Sequence, residues 1–133
     1  MAVKSAEELV AEANAEVETW SGEDAHGHLS DDSVQFIDIR DVRELWREGT
    51  IPKSVHAPRG MLEFWFDPKS PYAKEVFQQD KTHLLFCASG WRSALAAKTL
   101  RDMGIENVAH IGGGFSEWKK RGYPVEEKNK SGS

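Results

Sequence analysis

Residues 82–93 read Thr82-His83-Leu84-Leu85-Phe86-Cys87-Ala88-Ser89-Gly90-Trp91-Arg92-Ser93, and two different periodicities meet inside them. The run 82–87 is apolar and β-prone with little polar alternation, the pattern of a strand buried on both faces. After Gly90 the period changes. Ala96, Leu100 and Met103 fall on one helical face and Lys98, Arg101 and Asp102 on another, with Gly104 as a natural stop. A buried strand that passes through a short loop into an amphipathic helix is half of a parallel βαβ unit.

The flanking sequence repeats that alternation. Ser5 and Glu8 have capping-box spacing, and Val10, Ala13 and Val17 recur at i, i+3 and i+7, which predicts a first helix. Ser21 with Asp24 starts a short second one. SVQFIDI, residues 33–39, reads as a buried strand ending near Asp38, and DVRELWREG, residues 41–49, as a helix stopped at Gly49. Ser54–Ala57 is a short strand. Residues 58–71 are an insertion-like segment whose Phe64, Trp65 and Phe66 read as local core, part of which is free to wall a pocket. Asn107–Ile111 is a last strand, followed by Gly112-Gly113-Gly114 and a helix carrying Phe115 and Trp118 and ending at Gly122. The expectation is an α/β fold with a mostly parallel sheet covered by helices on both faces. Residues 126–133, EEKNKSGS, read as a disordered tail.

Composition bounds the function. A chain of 133 residues, 39% hydrophobic and 29% charged, is the size of one domain with its own core. Its one cysteine, Cys87, excludes an internal disulfide framework and any all-Cys metal cluster within one chain. No apolar run approaches the ~20 residues of a membrane span, and MAVKSAEELV lacks the apolar core of a signal peptide, so a cytoplasmic location is expected. The net charge of −5 argues against nucleic acid or an anionic membrane as partner. Residues 1–48 carry 13 acids against 4 bases, and residues 49–133 carry 9 against 13. The basic part holds Cys87, which suits a small anionic substrate.

The loop Cys87–Ser93 has a chemical reading of its own. Ligands of open α/β sheets bind beyond the carboxyl ends of strands, where a loop entering a helix presents unpaired backbone N–H groups. A thiolate is an anion, so the same amides, with the Arg92 guanidinium near, favour the ionised and nucleophilic form of Cys87. Gly90 supplies the backbone freedom that a tight cradle of inward N–H groups needs. The bland alternative is a cysteine that serves as a small buried hydrophobe at a strand end.

The segment Cys87-Ala88-Ser89-Gly90-Trp91-Arg92-Ser93 resembles the active-site loop of the rhodanese family of sulfurtransferases. Asp38-Ile39-Arg40, Glu44-Leu45-Trp46 and Gly49-Thr50-Ile51-Pro52 resemble the family's amino-terminal signature. Leu100 to Gly104, Val108, Gly112-Gly113 and Trp118 resemble its carboxy-terminal one, so the likeness spans about residues 34–124. The resemblance implies a single rhodanese-like domain over residues 1–125, including the amino-terminal helix, built on a five-stranded sheet. It implies that Cys87 takes a sulfane sulfur from thiosulfate or another donor as a persulfide and passes it to cyanide or a thiol, small or carried on a protein. Ala88, Ser89, Gly90, Trp91, Arg92 and Ser93 would line the substrate site, with Arg59 and Arg92 handling the donor's charge, and no metal or organic cofactor is called for. Thr50 stands where a His is frequent and Lys53 where Gly is usual, and Ala88 and Ser89 replace basic residues that some rhodaneses carry.

Two rival readings come from other classes. A noncatalytic rhodanese-like interaction module shares the fold but has no use for a nucleophile beside Gly90 and Arg92. A cysteine phosphatase or arsenate reductase uses a similar cradle, but phosphatases place five residues between Cys and Arg and commonly a His before the Cys. Here four residues intervene and Phe86 precedes. Other tempting groups read as structure. Asp38, Arg40 and Glu44 form an ion-pair network, and His26 and His28 are solvated loop residues with no further ligand to complete a metal site. His56 is a satisfied buried His, and Gly112–Gly114 is a closely packed turn without dinucleotide-binding spacing.

Overall fold

Strands β1 (Glu18–Trp20), β2 (Val34–Asp38), β3 (Val55–His56), β4 (Thr82–Phe86) and β5 (Val108–Ile111) form one sheet in the order β1-β5-β4-β2-β3, every pair parallel. The computed structural model describes residues 2–130. Six helices connect and cover the strands: α1 (Ala6–Glu16), α2 (Gly22–Gly27), α3 (Val42–Glu48), α4 (Leu62–Phe66), α5 (Trp91–Asp102) and α6 (Gly114–Lys120). Their starts follow the capping chemistry. Ser5, Ser21 and Asp41 each accept a backbone N–H of the first turn, and each makes a reciprocal capping box with Glu8, Asp24 and Glu44.

Alternation along the strands divides the core in two. Ile37, Ile39, Leu85, Cys87 and Val108 pack with Leu62 and Phe66 of α4 and Ala96, Ala97 and Leu100 of α5. On the other face Phe36, Leu84, Phe86, Ala109 and Ile111 pack with Ala25 of α2 and Phe115 and Trp118 of α6. A smaller cluster of Val10, Ala13 and Ala94 seats α1 on α5.

Several details depart from the sequence expectation. β1 is a strand of three residues, Glu-Thr-Trp, too short and too polar for periodicity to reveal, and it is recruited by pairing with β5 at the sheet edge. Met103 caps the end of α5 and is 42% exposed, so it leaves the buried face that Ala96 and Leu100 share. His26 lies in α2 rather than a loop, stacked on Tyr123 at 4.1 Å between ring centroids. The chain after 125 is tied at its start, because Thr50 and Glu126 exchange two backbone hydrogen bonds of 2.9 and 2.8 Å. Residues 131–133 of the expected tail lie outside the described residues. No helix among the described residues is long and apolar enough to cross a membrane.

The core also holds two histidines. His83 on β4 and His110 on β5 are 2% and 1% exposed, and burial pushes both down to about 4 from an ordinary value of 6.5. The unfolded chain therefore binds protons at these sites between about pH 6.5 and about 4 while the folded chain does not. Their contribution to stability is complete above about pH 6.5 and is lost as pH falls towards 4. Urea unfolding followed by circular dichroism should show the midpoint falling over that interval, and His83→Gln should flatten the decline.

Candidate active site

Cys87 follows the last residue of β4 and is 1% exposed. Its Sγ accepts the backbone N–H groups of Gly90 at 3.2 Å and Ser93 at 3.4 Å, and Ser93 Oγ lies 3.6 Å away. The cradle expected from the sequence is present, with sulfur at its focus. A second element builds it. Phe115 N–H donates to the Cys87 carbonyl at 2.8 Å and Ser116 N–H to the Ala88 carbonyl at 2.9 Å, so the amino-terminal end of α6 takes up the loop's carbonyls and leaves its N–H groups facing inward.

Two glycines make this approach feasible. Gly90 precedes α5 at φ +102. Gly114 sits at φ +58, where an added Cβ would stand 2.5 Å from the Cys87 carbonyl oxygen and 2.6 Å from that of Ala88. The Gly112–Gly114 turn is thus a packing device for the loop, as its spacing suggested.

Arg92 behaves differently from the expectation. Its guanidinium is hydrogen-bonded to a carboxylate and acts on Cys87 only through its charge. It forms a two-pronged pair with Glu44 of α3, Nη1 to Oε2 at 3.0 Å and Nη2 to Oε1 at 3.1 Å. The hydrogen bond from Arg92 is the main cause that holds the Glu44 carboxyl below its usual range, and the same bond raises Arg92. Glu44 caps α3 and bridges to α5 through Arg92, and the Arg40 charge is a lesser influence on its carboxyl. Asp38 and Arg40 form the expected structural pair by direct hydrogen bonds. Arg40 donates Nε and Nη2 to the two Asp38 oxygens at 3.0 and 2.9 Å, Thr50 Oγ1 donates to Asp38 at 2.6 Å, and both charged side chains are fully buried.

Arg59 is engaged away from the loop. It pairs with Glu63 at 2.7 Å and reaches Thr99, which lies about 12 Å along α5 from Trp91 at 1.5 Å per residue. His56 is half-buried rather than buried, and its Nε2 lies 2.7 Å from the Arg40 carbonyl, to which it donates. Trp91, by contrast, is 51% exposed and borders a cleft of about 410 Å³ with Ser89, Gly90 and residues of β1 and β5. Sequence reasoning missed His110, which contacts Ser93 at 2.9 Å. The available signal was a histidine in register with Val108 on an otherwise apolar strand.

Residues 21–121 match the model of the rhodanese-like domain. The chain belongs to the rhodanese-like family. Among solved structures of this fold, a Rhodopseudomonas palustris protein, RPA3614, superposes with a TM-score of 0.91 at 48% identity, covering 95% of this chain and 97% of that one; it is described as of unknown function, "Possible Tyrosine Phosphatase". The polysulfide-sulfur transferase of Wolinella succinogenes superposes with a TM-score of 0.67 at 29% identity, over 91% of this chain and 86% of that one. A Bacillus subtilis (strain 168) protein named "Putative sulfur carrier protein YrkF" is 32% identical over 89 residues, 67% of this chain. The chain spans 43% of the length of that relative. Two of these relatives carry the names of sulfur-handling proteins, and the family model that matches is that of the rhodanese-like domain.

The packing of α6 on the loop makes a direct prediction. Gly114→Ala should push the Cys87 and Ala88 carbonyls aside and cost about 2–3 kcal/mol in urea unfolding. Gly104→Ala also has a positive φ, +99, but nothing within 4 Å of the new Cβ, so it should cost only the backbone strain of about 1–2 kcal/mol.

Proposed function

We propose that the protein transfers a sulfane sulfur, with Cys87 as the carrier. The Cys87 thiolate attacks the outer sulfur of a donor such as thiosulfate, the donor's S–S bond breaks, and sulfite leaves with its electron pair. The Cys87 persulfide then gives its outer sulfur to cyanide, forming thiocyanate, or to a thiol on a small molecule or protein. The thiolate is regenerated. The observation that carries this reading is the pair of N–H groups, from Gly90 and Ser93, aimed at the sulfur of the chain's one cysteine. Donors of this kind stabilise a thiolate and the anionic persulfide alike.

Phosphoryl transfer is the second reading because of the description carried by the Rhodopseudomonas palustris protein. Two features favour sulfur. Only Ala88 to Trp91 separate Cys87 from Arg92, and the short arc leaves a volume suited to one added atom rather than to an in-line phosphoryl group. The arginine that would clamp phosphoryl oxygens is paired with Glu44. An interaction module, the third reading, needs no donors converging on a thiol.

Intact-mass measurement under nonreducing conditions should find one added sulfur atom after incubation with thiosulfate and its loss on adding cyanide, with neither change in Cys87→Ser. Hydrolysis of p-nitrophenyl phosphate that depends on Cys87 would reassign the protein to phosphoryl transfer. Because Glu44 neutralises Arg92 at the mouth, Glu44→Gln should lower the KM for thiosulfate severalfold, as measured by thiocyanate production. An unchanged or raised KM would remove Arg92 from donor recognition.

A further inference from the structure

His110 is a buried imidazole where the amino-terminal helix, the sheet and the active-site loop meet, and sulfur transfer as set out above makes no use of it. Its Nδ1 lies 2.9 Å from Ser93 Oγ. Its Nε2 lies 2.8 Å from Asn14 Oδ1 and 3.2 Å from Thr19 Oγ1. Ser93 Oγ in turn lies 3.6 Å from Cys87 Sγ, while Asn14 and Thr19 border the cleft beside Trp91. A continuous chain of polar atoms therefore runs from the sulfur through a hydroxyl and an imidazole to the surface.

Every link beyond the sulfur can both donate and accept, which leaves the chain two directions. With Cys87 protonated it runs outward: S–H to Ser93 Oγ, Ser93 O–H to His110 Nδ1, and His110 Nε2–H to Asn14 Oδ1, the orientation in which Asn14 is found. A thiolate has no hydrogen to give, and the outward direction would set the Ser93 lone pairs against a negative sulfur. Removing the thiol proton along the chain cures this. The S–H proton passes to Ser93 Oγ, the Ser93 proton to His110 Nδ1, and the His110 Nε2 proton to water in the cleft. One proton is released, no bond between heavy atoms changes, and Ser93 now donates to the sulfur while Nε2 accepts from Thr19 or the Asn14 amide.

The reversal requires a neutral imidazole, because an imidazolium donates from both nitrogens and cannot accept. Burial supplies that condition and is the sole cause of the depressed titration of His110. The groups facing it are Asn14 from α1, Thr19 from β1 and Ser93 from α5, all uncharged. Of the charges on those helices, Glu16 and Asp102 both pair with Lys98, and Arg92, paired with Glu44, acts on Cys87 through its charge; His83 on β4 bonds to Gln35.

We propose that Ser93 and His110 form a reversible relay whose direction follows the charge on Cys87, so that His110 changes tautomer between the thiol and the thiolate or persulfide. The Ser93 hydroxyl then becomes a third donor to the anionic sulfur, beside the N–H groups of Gly90 and Ser93. Both residues are positioning residues for the sulfur transfer proposed above. Asn14 and Thr19, which precede the family-matched segment 21–121, join the site through His110. The persulfide half of the inference rests on the sulfurtransferase reading, and the thiolate half does not.

Nitrogen-15 NMR of the His110 ring in the wild-type protein tests it across the pH range of Cys87 ionisation, with ionisation followed in the same samples by the rate of iodoacetamide alkylation. Nδ1 should change from acceptor to protonated and Nε2 the reverse, at the midpoint of the alkylation profile, and Cys87→Ser should abolish the change. Ser93→Ala should move the alkylation midpoint upward by about one pH unit, the loss of one hydrogen bond to a charged group. A single tautomer through ionisation, or an unmoved midpoint in folded Ser93→Ala, overturns the relay. After loading with thiosulfate at low pH, the Nδ1–H form should persist. Failure to load any sulfur, with the tautomer still following ionisation, overturns the sulfurtransferase reading and leaves the relay standing.

Discussion

Two hydrogen bonds, from Phe115 to the Cys87 carbonyl and from Ser116 to the Ala88 carbonyl, hold the Cys87–Ser93 loop with its N–H groups inward. A backbone loop has as many acceptors as donors, and an anion at its centre tolerates only the donors. The carbonyls must therefore find partners outside, and the first turn of α6 has the unpaired N–H groups to supply them. The requirement propagates. It fixes Gly114 without a Cβ, seats α6 against β4 and β5 through Phe115 and Trp118, and brings Ser93 within reach of the sulfur at the start of α5.

Charge is arranged around this site so that little of it is loose. The Asp38–Arg40 pair is buried at the carboxyl end of β2, directly beside Phe86 in the sheet. Buried pairs of this kind are weak as a source of stability, yet losing one partner strands the other. Here the pair ties β2 to Gly49 and Thr50 at the end of α3, through Arg40 Nη2 to the Gly49 carbonyl at 2.7 Å and Thr50 Oγ1 to Asp38. Thr50 then pairs with Glu126, so the carboxy-terminal segment is anchored to the same point. Glu44 and Arg92 link α3 to α5 in the same way at the surface.

The strong periodicities were legible in the sequence, and so was the site's centre. β2, β4 and β5 follow from apolar runs, the starts of α1 and α2 from Ser5 and Ser21, and the end of α3 from Gly49. Cys87, Gly90 and Ser93 follow from a loop placed between strand and helix. What stayed hidden depends on long-range pairing. β1 is a strand only because β5 offers it an edge, and Arg92 belongs to Glu44 because the fold brings the first turns of α3 and α5 within reach of each other. His110 gains its meaning from Ser93 and Asn14, 17 and 96 residues away. The sequence suggests a positive charge at the sulfur; tertiary structure pairs that charge with a carboxylate, so backbone N–H groups touch the sulfur and Arg92 acts on it only through its charge.

The depth of Cys87 also governs its fate in an oxidising setting. A disulfide needs two sulfurs about 2 Å apart and Cα atoms within about 7 Å, and a thiol that is 1% exposed at the floor of its own loop cannot be met on those terms by the same thiol of a second copy. With no other cysteine in the chain, neither an internal bridge nor a linked dimer is open to it. Oxidants and thiols small enough to enter the loop are its remaining partners. A sulfur added to Cys87 would lengthen its reach by about 2 Å and bring to the mouth an atom that a bulky protein thiol could meet, so loading would turn a sheltered thiol into an exchangeable one.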